Sequence, residues 1–472
     1  MLKFILIPLL GAVLTGCAVG PNYQRPVTTL PALYGRASTN HFRSDEPEAR
    51  WWALFGDSTL DALIYRAVRG NHDVKIAEAR LNEARALRRE SLWAFAPQGG
   101  ASGSFQRRQL AQPEAPGVSR SPRLGNIWSA GFDATWEIDL FGRLRRAAEA
   151  AGAEVGTADA QRRDVQVVLL AEVAANYFGL QEAREATELL HRQKDLLERS
   201  FETTRRRVTA GRGSQLDIAR AEALLKETES ALPLVEREEG EHLHRLAVLL
   251  GEQPGTFTVS QKPRQAPRAA RKLTIGTPAS LLQRRPDIAA AERQLAAATA
   301  RVGIRTAEMF PEVSISGVVR LIGADGVNLG SAASQAWSVA PTASWHLLSL
   351  GRLNAIRQAS QFQVDGTFAY YEQTVLRALE DVENALVRYR TADERLRLLV
   401  ERQAAAARGL RIAQAQYEAG AINSLEATDA ERTALAAERE TVSAATEQRL
   451  AVVALYKALG GGWNDEQLLA ND

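Results

Sequence analysis

The sequence predicts a mainly helical protein that carries a small amount of membrane-type β-structure, built as an internal tandem repeat. Three observations predict it. One half of the chain matches the other at a fixed offset, proline-free helical runs cover 142–209 and 351–419, and the segments that alternate apolar and polar residues carry tryptophans at their ends. At 45% hydrophobic and 24% charged residues the chain is too apolar to be disordered. Lys+Arg 58 against Asp+Glu 56 leaves no basic excess, so no nucleic-acid partner is expected.

The repeat is read from its offset. Trp136 and Trp345 are each followed six residues later by Gly-Arg-Leu, as Gly142-Arg143-Leu144 and Gly351-Arg352-Leu353, so the offset is 345 − 136 = 209. The same shift pairs Ala210-Gly211 with Ala419-Gly420, Leu216-Asp217 with Leu425-Glu426, Ala221-Glu222 with Ala430-Glu431, and Leu250-Gly251 with Leu459-Gly460. Upstream the offset is 214, pairing Asp73 with Asp287, Glu78 with Glu292, Leu81 with Leu295 and Pro97 with Pro311. The first copy therefore holds five extra residues (214 − 209) between its proline and its tryptophan. Copy one spans 61–251 and copy two 276–460, joined by a linker at 252–275 and flanked by an N-terminal segment at 17–60 and a tail at 461–472.

Each copy opens with a helix. Leu63, Ala67, Val74, Ala77, Leu81 and Ala84 recur at helical spacing over 61–95, and Pro97 ends the run. Hairpins follow at 98–140 and 312–348. In the first, Trp128, Ala130, Phe132, Ala134, Trp136 and Ile138 share one face, with Ser129, Gly131, Asp133, Thr135 and Glu137 on the other. In the second, Trp337, Val339, Ala343, Trp345 and Leu347 oppose Ser338, Thr342, Ser344 and His346. The segment 101–108 is mostly polar and is the weakest of the four strands. Pro341 lacks a ladder donor, which predicts a bulge or an interruption there.

Trp128 and Trp136, like Trp337 and Trp345, are eight residues apart, or about 26 Å of strand. This matches the apolar band of a transmembrane barrel, about 25 Å tall and edged by aromatic girdles. Four strands cannot close a barrel in lipid, where open edges are not tolerated, so several chains must share one. Two chains would supply eight strands and three would supply twelve.

The helical hairpins at 142–251 and 351–460 follow. Their long arms are rich in Ala, Leu, Glu and Arg, with coiled-coil-like seams at Val168, Ala171, Ala175, Phe178 and Leu189, and at Leu379, Val382, Leu386, Tyr389 and Leu396. At 1.5 Å per residue each reaches about 100 Å, and each is too charged to span lipid. Ala210-Gly211 and Ala419-Gly420 mark the turns. Ser214 with Asp217, and Asn423 with Glu426, have capping-box spacing at the restarts.

At the start, Lys3 precedes an apolar run from Phe4 to Leu14 that is too short to span a bilayer, which reads as a signal peptide over 1–16. The Leu14-Thr15-Gly16-Cys17 that follows resembles the bacterial lipobox, and Cys17 is the only cysteine in the chain. The resemblance implies acylation of Cys17, and Ala18 in place of Asp leaves out an inner-membrane retention signal. Each buried methylene contributes about 0.8 kcal/mol, so several acyl chains anchor such a terminus without a spanning helix.

Taken together, these features resemble the TolC-type outer-membrane factor family, closest to its lipidated, OprM-like or NodT-like branch that serves resistance-nodulation-division (RND) pumps. The residues that carry the resemblance are Gly20 to Pro26, Trp51-Trp52, Trp136 to Arg143, Arg284-Arg285-Pro286-Asp287-Ile288 and Tyr417 to Gly420. It implies a homotrimer with a twelve-stranded barrel, a long α-helical barrel of coiled-coil hairpins, contact with outer-membrane lipids, and docking to a periplasmic adaptor and an inner-membrane RND transporter. By motif, Leu425, Asp429 and Arg432 fall at the constriction of OprM-like members, and Glu426 and Tyr417 at TolC-like gate positions. Glu426 and Asp429, three apart, share a helix face, and threefold symmetry would collect six carboxylates in a ring that favours cations. Glu426 also fits a capping role, and Asp429 with Arg432 a solvated ion pair.

Two other readings share parts of this pattern: an exit duct for a type I protein exporter, and a trimeric structural lipoprotein, which would not need two membrane hairpins. Six histidines are scattered, and His242 and His244, the nearest pair, point to different helix faces. With no phosphate-binding glycine loop, nucleophile elbow or zinc motif, neither enzyme activity nor a cofactor or metal site is expected.

Overall fold

The helical periodicity that begins near residue 61 folds as two helices rather than one. In the computed structural model, which describes residues 18–37, 41–259, 272–324 and 329–463, a two-residue strand β1 (Phe42–Arg43) and a 3-10 turn (Trp51–Phe55) precede α1 (Ser58–Gly70) and α2 (His72–Trp93). The break falls at Asn71, whose backbone is extended (φ −60°, ψ 134°). Its side chain explains the break. Oδ1 accepts from the Val74 amide at 3.0 Å, capping α2, while Nδ2 donates to the Leu249 carbonyl at 3.0 Å. A buried Asn that satisfies a free helix-end amide starts a new helix where apolar spacing alone sees continuity.

Next come β2 (Gln98–Gln109), β3 (Leu124–Ile138), the 67-residue α3 (Arg143–Thr209) and α4 (Gln215–Leu250). After β4 (Leu273–Thr274), which pairs in parallel with β1, the order recurs: α5 (Pro278–Arg284), α6 (Pro286–Ala307), β5 (Glu312–Ala324), β6 (Gln335–Ser344), the 69-residue α7 (Leu350–Glu418) and α8 (Ser424–Ala458). Gly211 (φ 73°) and Gly420 (φ 76°) make the two tip turns in the left-handed region, where a side chain is strained.

The sheet runs β2-β3-β5-β6, antiparallel throughout. Its edges, β2 and β6, each have one neighbour, so the sheet is open. Even the polar segment around 101–108 is a full strand. The interruption expected at Pro341 does not occur: Pro341 stands opposite Ile315 in a register unbroken from Glu312↔Ser344 to Leu321↔Gln335. The reason is position, because an edge strand accommodates a residue that has no N–H to donate.

The sheet belongs to a unit made of the chain up to Val27, Arg80–Asp159 and Ala290–Glu372. A second unit takes Thr28–Ala79, Ala160–Ala289 and the chain from Gln373. The core of the second unit centres on Trp51 and Trp52, both 1% exposed. Trp51 stacks on Tyr456 (centroids 5.9 Å apart, planes at 6°) and meets Trp52 edge-on at 5.8 Å. Leu170, Leu246, Val382 and Val452, from the four long helices, close around them.

Candidate functional site

The register turns the alternation of four strands into two faces of opposite chemistry. On one face Ala101, Phe132, Val319 and Trp337 lie in a single rung, followed by Gly99, Ala134, Gly317 and Val339 in the next rung but one. On the other face the rungs read Gly100, Asp133, Val318 and Ser338, then Gln98, Thr135, Ser316 and Ala340. Hydroxyl pairs bridge the polar face: Ser104 and Ser129 at 2.8 Å, Thr135 and Ser316 at 3.2 Å. The apolar face is uncovered, with Phe132 71%, Val319 61% and Trp337 77% exposed. A contiguous aromatic and aliphatic face of this kind calls for an apolar phase against it. Among the described residues no helix is long and apolar enough to cross a membrane.

Trp128, at 50% exposure, and Trp136, at 42%, lie on this surface beside Trp337, and Trp345, 51% exposed, follows one residue past the end of β6. Trp128 also packs on Phe105 of β2, with ring centroids 4.3 Å apart. Spacing did not show that Trp136 donates its indole N–H to the Phe95 carbonyl at 2.9 Å, and Trp345 to the Met309 carbonyl at 3.0 Å. Each ring faces outward while its polar atom is satisfied at the end of the preceding helix.

At the hairpin turns the sequence-predicted gate residues are brought together. Ser214 caps α4 in a capping box with Asp217. Asn423 Oδ1 accepts from the Glu426 amide at 3.0 Å, and Asn423 Nδ2 donates to Glu426 Oε1 at 3.2 Å, so the Glu426 carboxylate serves the cap of α8. The two turns are laced to each other. Ser424 Oγ donates to Asp217 Oδ1, and this hydroxyl, with the Ser214 amide next, holds the Asp217 carboxyl below its ordinary range. Arg207 lies over the Tyr417 ring at 4.2 Å and donates to the Tyr417 carbonyl, while Thr204 Oγ1 stands 3.4 Å from the Tyr417 hydroxyl. Arg432 pairs with Glu227 of α4 at 3.4 Å rather than with Asp429, whose side chain has no ion pair or hydrogen bond among the described residues. Leu425 is 53% exposed at the same helix start.

Cys17 lies outside the described residues. The segment that follows it is fixed within the sheet-bearing unit. Val19 N–H donates to the Phe141 carbonyl at 3.0 Å, and the buried Arg146 donates to the Val19 and Gly20 carbonyls at 3.3 Å and to Asn22 Oδ1 at 2.7 Å. Ala18 approaches Gly142 so closely that a Cβ there would stand 2.7 Å from the Ala18 Cα. His242 is a packing residue, with its ring against Gly179 and Nδ1 3.2 Å from Asn176 Oδ1.

An open sheet with one apolar and one polar face, long charged helices and a tip laced by side-chain contacts define a membrane conduit. The family profile described as outer membrane efflux protein matches residues 63–252 and 277–461, and the chain belongs to that family. It is an outer-membrane efflux channel, not an enzyme. The solvent efflux pump outer membrane protein SrpC of Pseudomonas putida is 28% identical, over 99% of this chain and 100% of its own. The cation efflux system protein CusC of Escherichia coli is 27% identical, over 95% of this chain and 96% of its own. Among solved structures, the outer-membrane channel OprN superposes with a TM-score of 0.89 at 37% identity, covering 95% of this chain and 100% of OprN.

Proposed function

We propose that three copies of the chain form the exit duct of a tripartite RND-type efflux pump, held in the outer membrane by a shared barrel and by lipid on Cys17. One observation carries the reading: a four-stranded sheet with an apolar face, a polar face and two unpaired edges. In hydrocarbon each unpaired backbone group costs several kcal/mol, so such a sheet is viable only when its edges meet those of other copies. Three copies supply 3 × 4 = 12 strands, the number that the family resemblance implies. The polar face then lines a lumen and the tryptophans border the lipid. The tandem repeat is supported by matched contacts, since the carbonyls of Phe95 and Met309 that receive the two indoles are themselves 214 residues apart.

The long helical hairpins stand in the periplasm, where an adaptor protein joins the duct to an inner-membrane transporter. SrpC is described as part of a solvent pump and CusC as part of a cation system. One kind of duct therefore serves unlike cargo, and cargo choice rests with the transporter.

A duct in the outer membrane must be shut at rest. The residues that shut this one are Leu425, Glu426, Asp429, Arg432 and Tyr417, with Asp217, Ser424, Arg207 and Glu227 as their tethers. Replacing Asp429 and Arg432 together with Ala is expected to raise single-channel conductance in planar bilayers. Unchanged conductance would remove both from the gate.

A further inference from the structure

Behind the exposed gate face of α8 runs a buried stripe, Ala427, Glu431 and Leu435, four residues apart and 7%, 5% and 6% exposed. Leu435 packs against Leu197 of α3 and Leu224 and Leu225 of α4. Between these apolar residues the Glu431 carboxyl has neutral polar neighbours, Ser200 of α3 and Gln414 of α7, and no ion pair among the described residues. The charged residues nearest to these contacts along the chain are solvent-exposed: Glu198, Arg199 and Glu202 on α3, Lys226 and Glu227 on α4, Arg411 and Glu418 on α7, and Asp429 and Arg432 on α8. None of them appears among the influences on this carboxyl, of which burial is the largest. The counterpart of Glu431 in the first copy, Glu222 (431 − 209), is exposed, so one copy turns this acid outward and the other inward.

We propose that Glu431 is a positioning residue for the gate, a buried carboxyl that seats the start of α8 while neutral and releases it when ionised. The inference rests on the gate reading given above. Leu425, Asp429 and Arg432 lie within two turns of Glu431 on the same helix, so a shift of the seat moves them together.

The sign follows from the solvent. Burial raises the Glu431 carboxyl above the usual carboxylate value, because the charged form loses its hydration without gaining a cation. The closed tip is thus favoured in acid and weakens as pH rises through this raised value. Asp217, the other titrating contact of the tip, has the opposite sign. Its carboxyl is held low, so its tether is present above the ordinary carboxylate range and fails only in stronger acid.

The test is the pH profile of single-channel conductance for the reconstituted full chain. The wild type is expected to be least conducting in mild acid and to rise severalfold in conductance with pH. Glu431→Gln, which stays neutral, should hold the low conductance throughout. Ser200→Ala removes a neighbouring hydroxyl that favours the charged form and should move the rise to higher pH. Glu182, a second carboxyl raised by burial on α3, lies farther from the tip. Glu182→Gln should leave the rise in place. A Glu431→Gln channel with the wild-type profile, or a wild-type channel with a flat one, overturns the inference. Should Glu431→Gln fail to assemble, an unshifted Ser200→Ala profile overturns it equally. Failure of the gate reading is a separate result, namely no conductance gain at any pH when Asp429 and Arg432 are replaced.

Discussion

Trp136 and Trp345 each leave an aromatic face toward the surroundings and tie the indole N–H to a helix-end carbonyl. Their place on the outer face was legible from alternation, because strand period fixes which residues share a side. The tie was not, since its partners lie 41 and 36 residues away, two residues past the ends of α2 and α6. The difference between those separations, 41 − 36 = 5, is the same five residues that the two repeat offsets differ by. Removing the donor while keeping the aromatic ring isolates this bond. Trp136→Phe is expected to cost about 1 kcal/mol more than Trp128→Phe in thermal unfolding of the detergent-solubilised protein. Equal losses would show that the indole bond contributes nothing beyond packing. At the tip, motif and spacing single out Tyr417, Glu426 and Arg432. Of their partners only Asn423 is legible, through its capping-box spacing to Glu426; the contacts of Arg207 and Glu227 join separate helices and leave no short-range signal.

The two copies differ most instructively where their first helices break. Asn71 separates α1 from α2 and reaches the Leu249 carbonyl, while Arg285 separates α5 from α6 and reaches the Ala458 carbonyl at 2.9 Å. These are matched positions, since 285 − 71 = 214 and 458 − 249 = 209. In the second copy Pro286 punctuates the chain at this point, whereas the first copy has His72, and the break there escaped a reading based on periodicity. Different side chains thus solve one problem, the satisfaction of the last carbonyls of a returning helix. Arg285 does more than Asn71. It holds Asp287 through two bonds, at 3.0 and 2.7 Å, and Asp381 of α7 at 3.0 Å, while itself 11% exposed. Arg285→Ala should therefore destabilise by about 2–4 kcal/mol, because it strands a helix-end carbonyl and two carboxylates at once. Arg285→Lys should recover only part of this, having no planar fork to grip both acids. Melting temperatures of the three proteins decide the matter, and a lysine variant as stable as wild type would reduce Arg285 to a simple charge.

The tryptophan pairs also bear on how the sheet meets a membrane. Trp128 faces Gly323 of β5 and Trp337 faces Val319, so the pairs of β3 and β6 are displaced by four rungs across two interstrand steps. Four residues amount to about 13 Å along a strand and two steps to about 10 Å across, so strands tilted by roughly 50° would bring both pairs level. That is close to the tilt of membrane barrels, about 35–45°, and it is what a closed, staggered sheet requires. Closure needs β2 of one copy beside β6 of another, and Cys17 is the sole native cysteine, so engineered thiols can report on the junction. Ser102, Ser104 and Gln106 of β2 share the polar face with Ala336, Ser338 and Ala340 of β6. Cysteines placed at one position of each set, in all nine combinations, sample five antiparallel registers of the two edges. A disulfide forms only when the Cβ atoms come within about 4.5 Å, so at least one combination should cross-link on oxidation, and directly paired registers more completely than their neighbours. The covalent ladder should end at three chains. A ladder ending at two would make the barrel eight-stranded, and no cross-link in any combination would overturn edge-to-edge pairing in these registers.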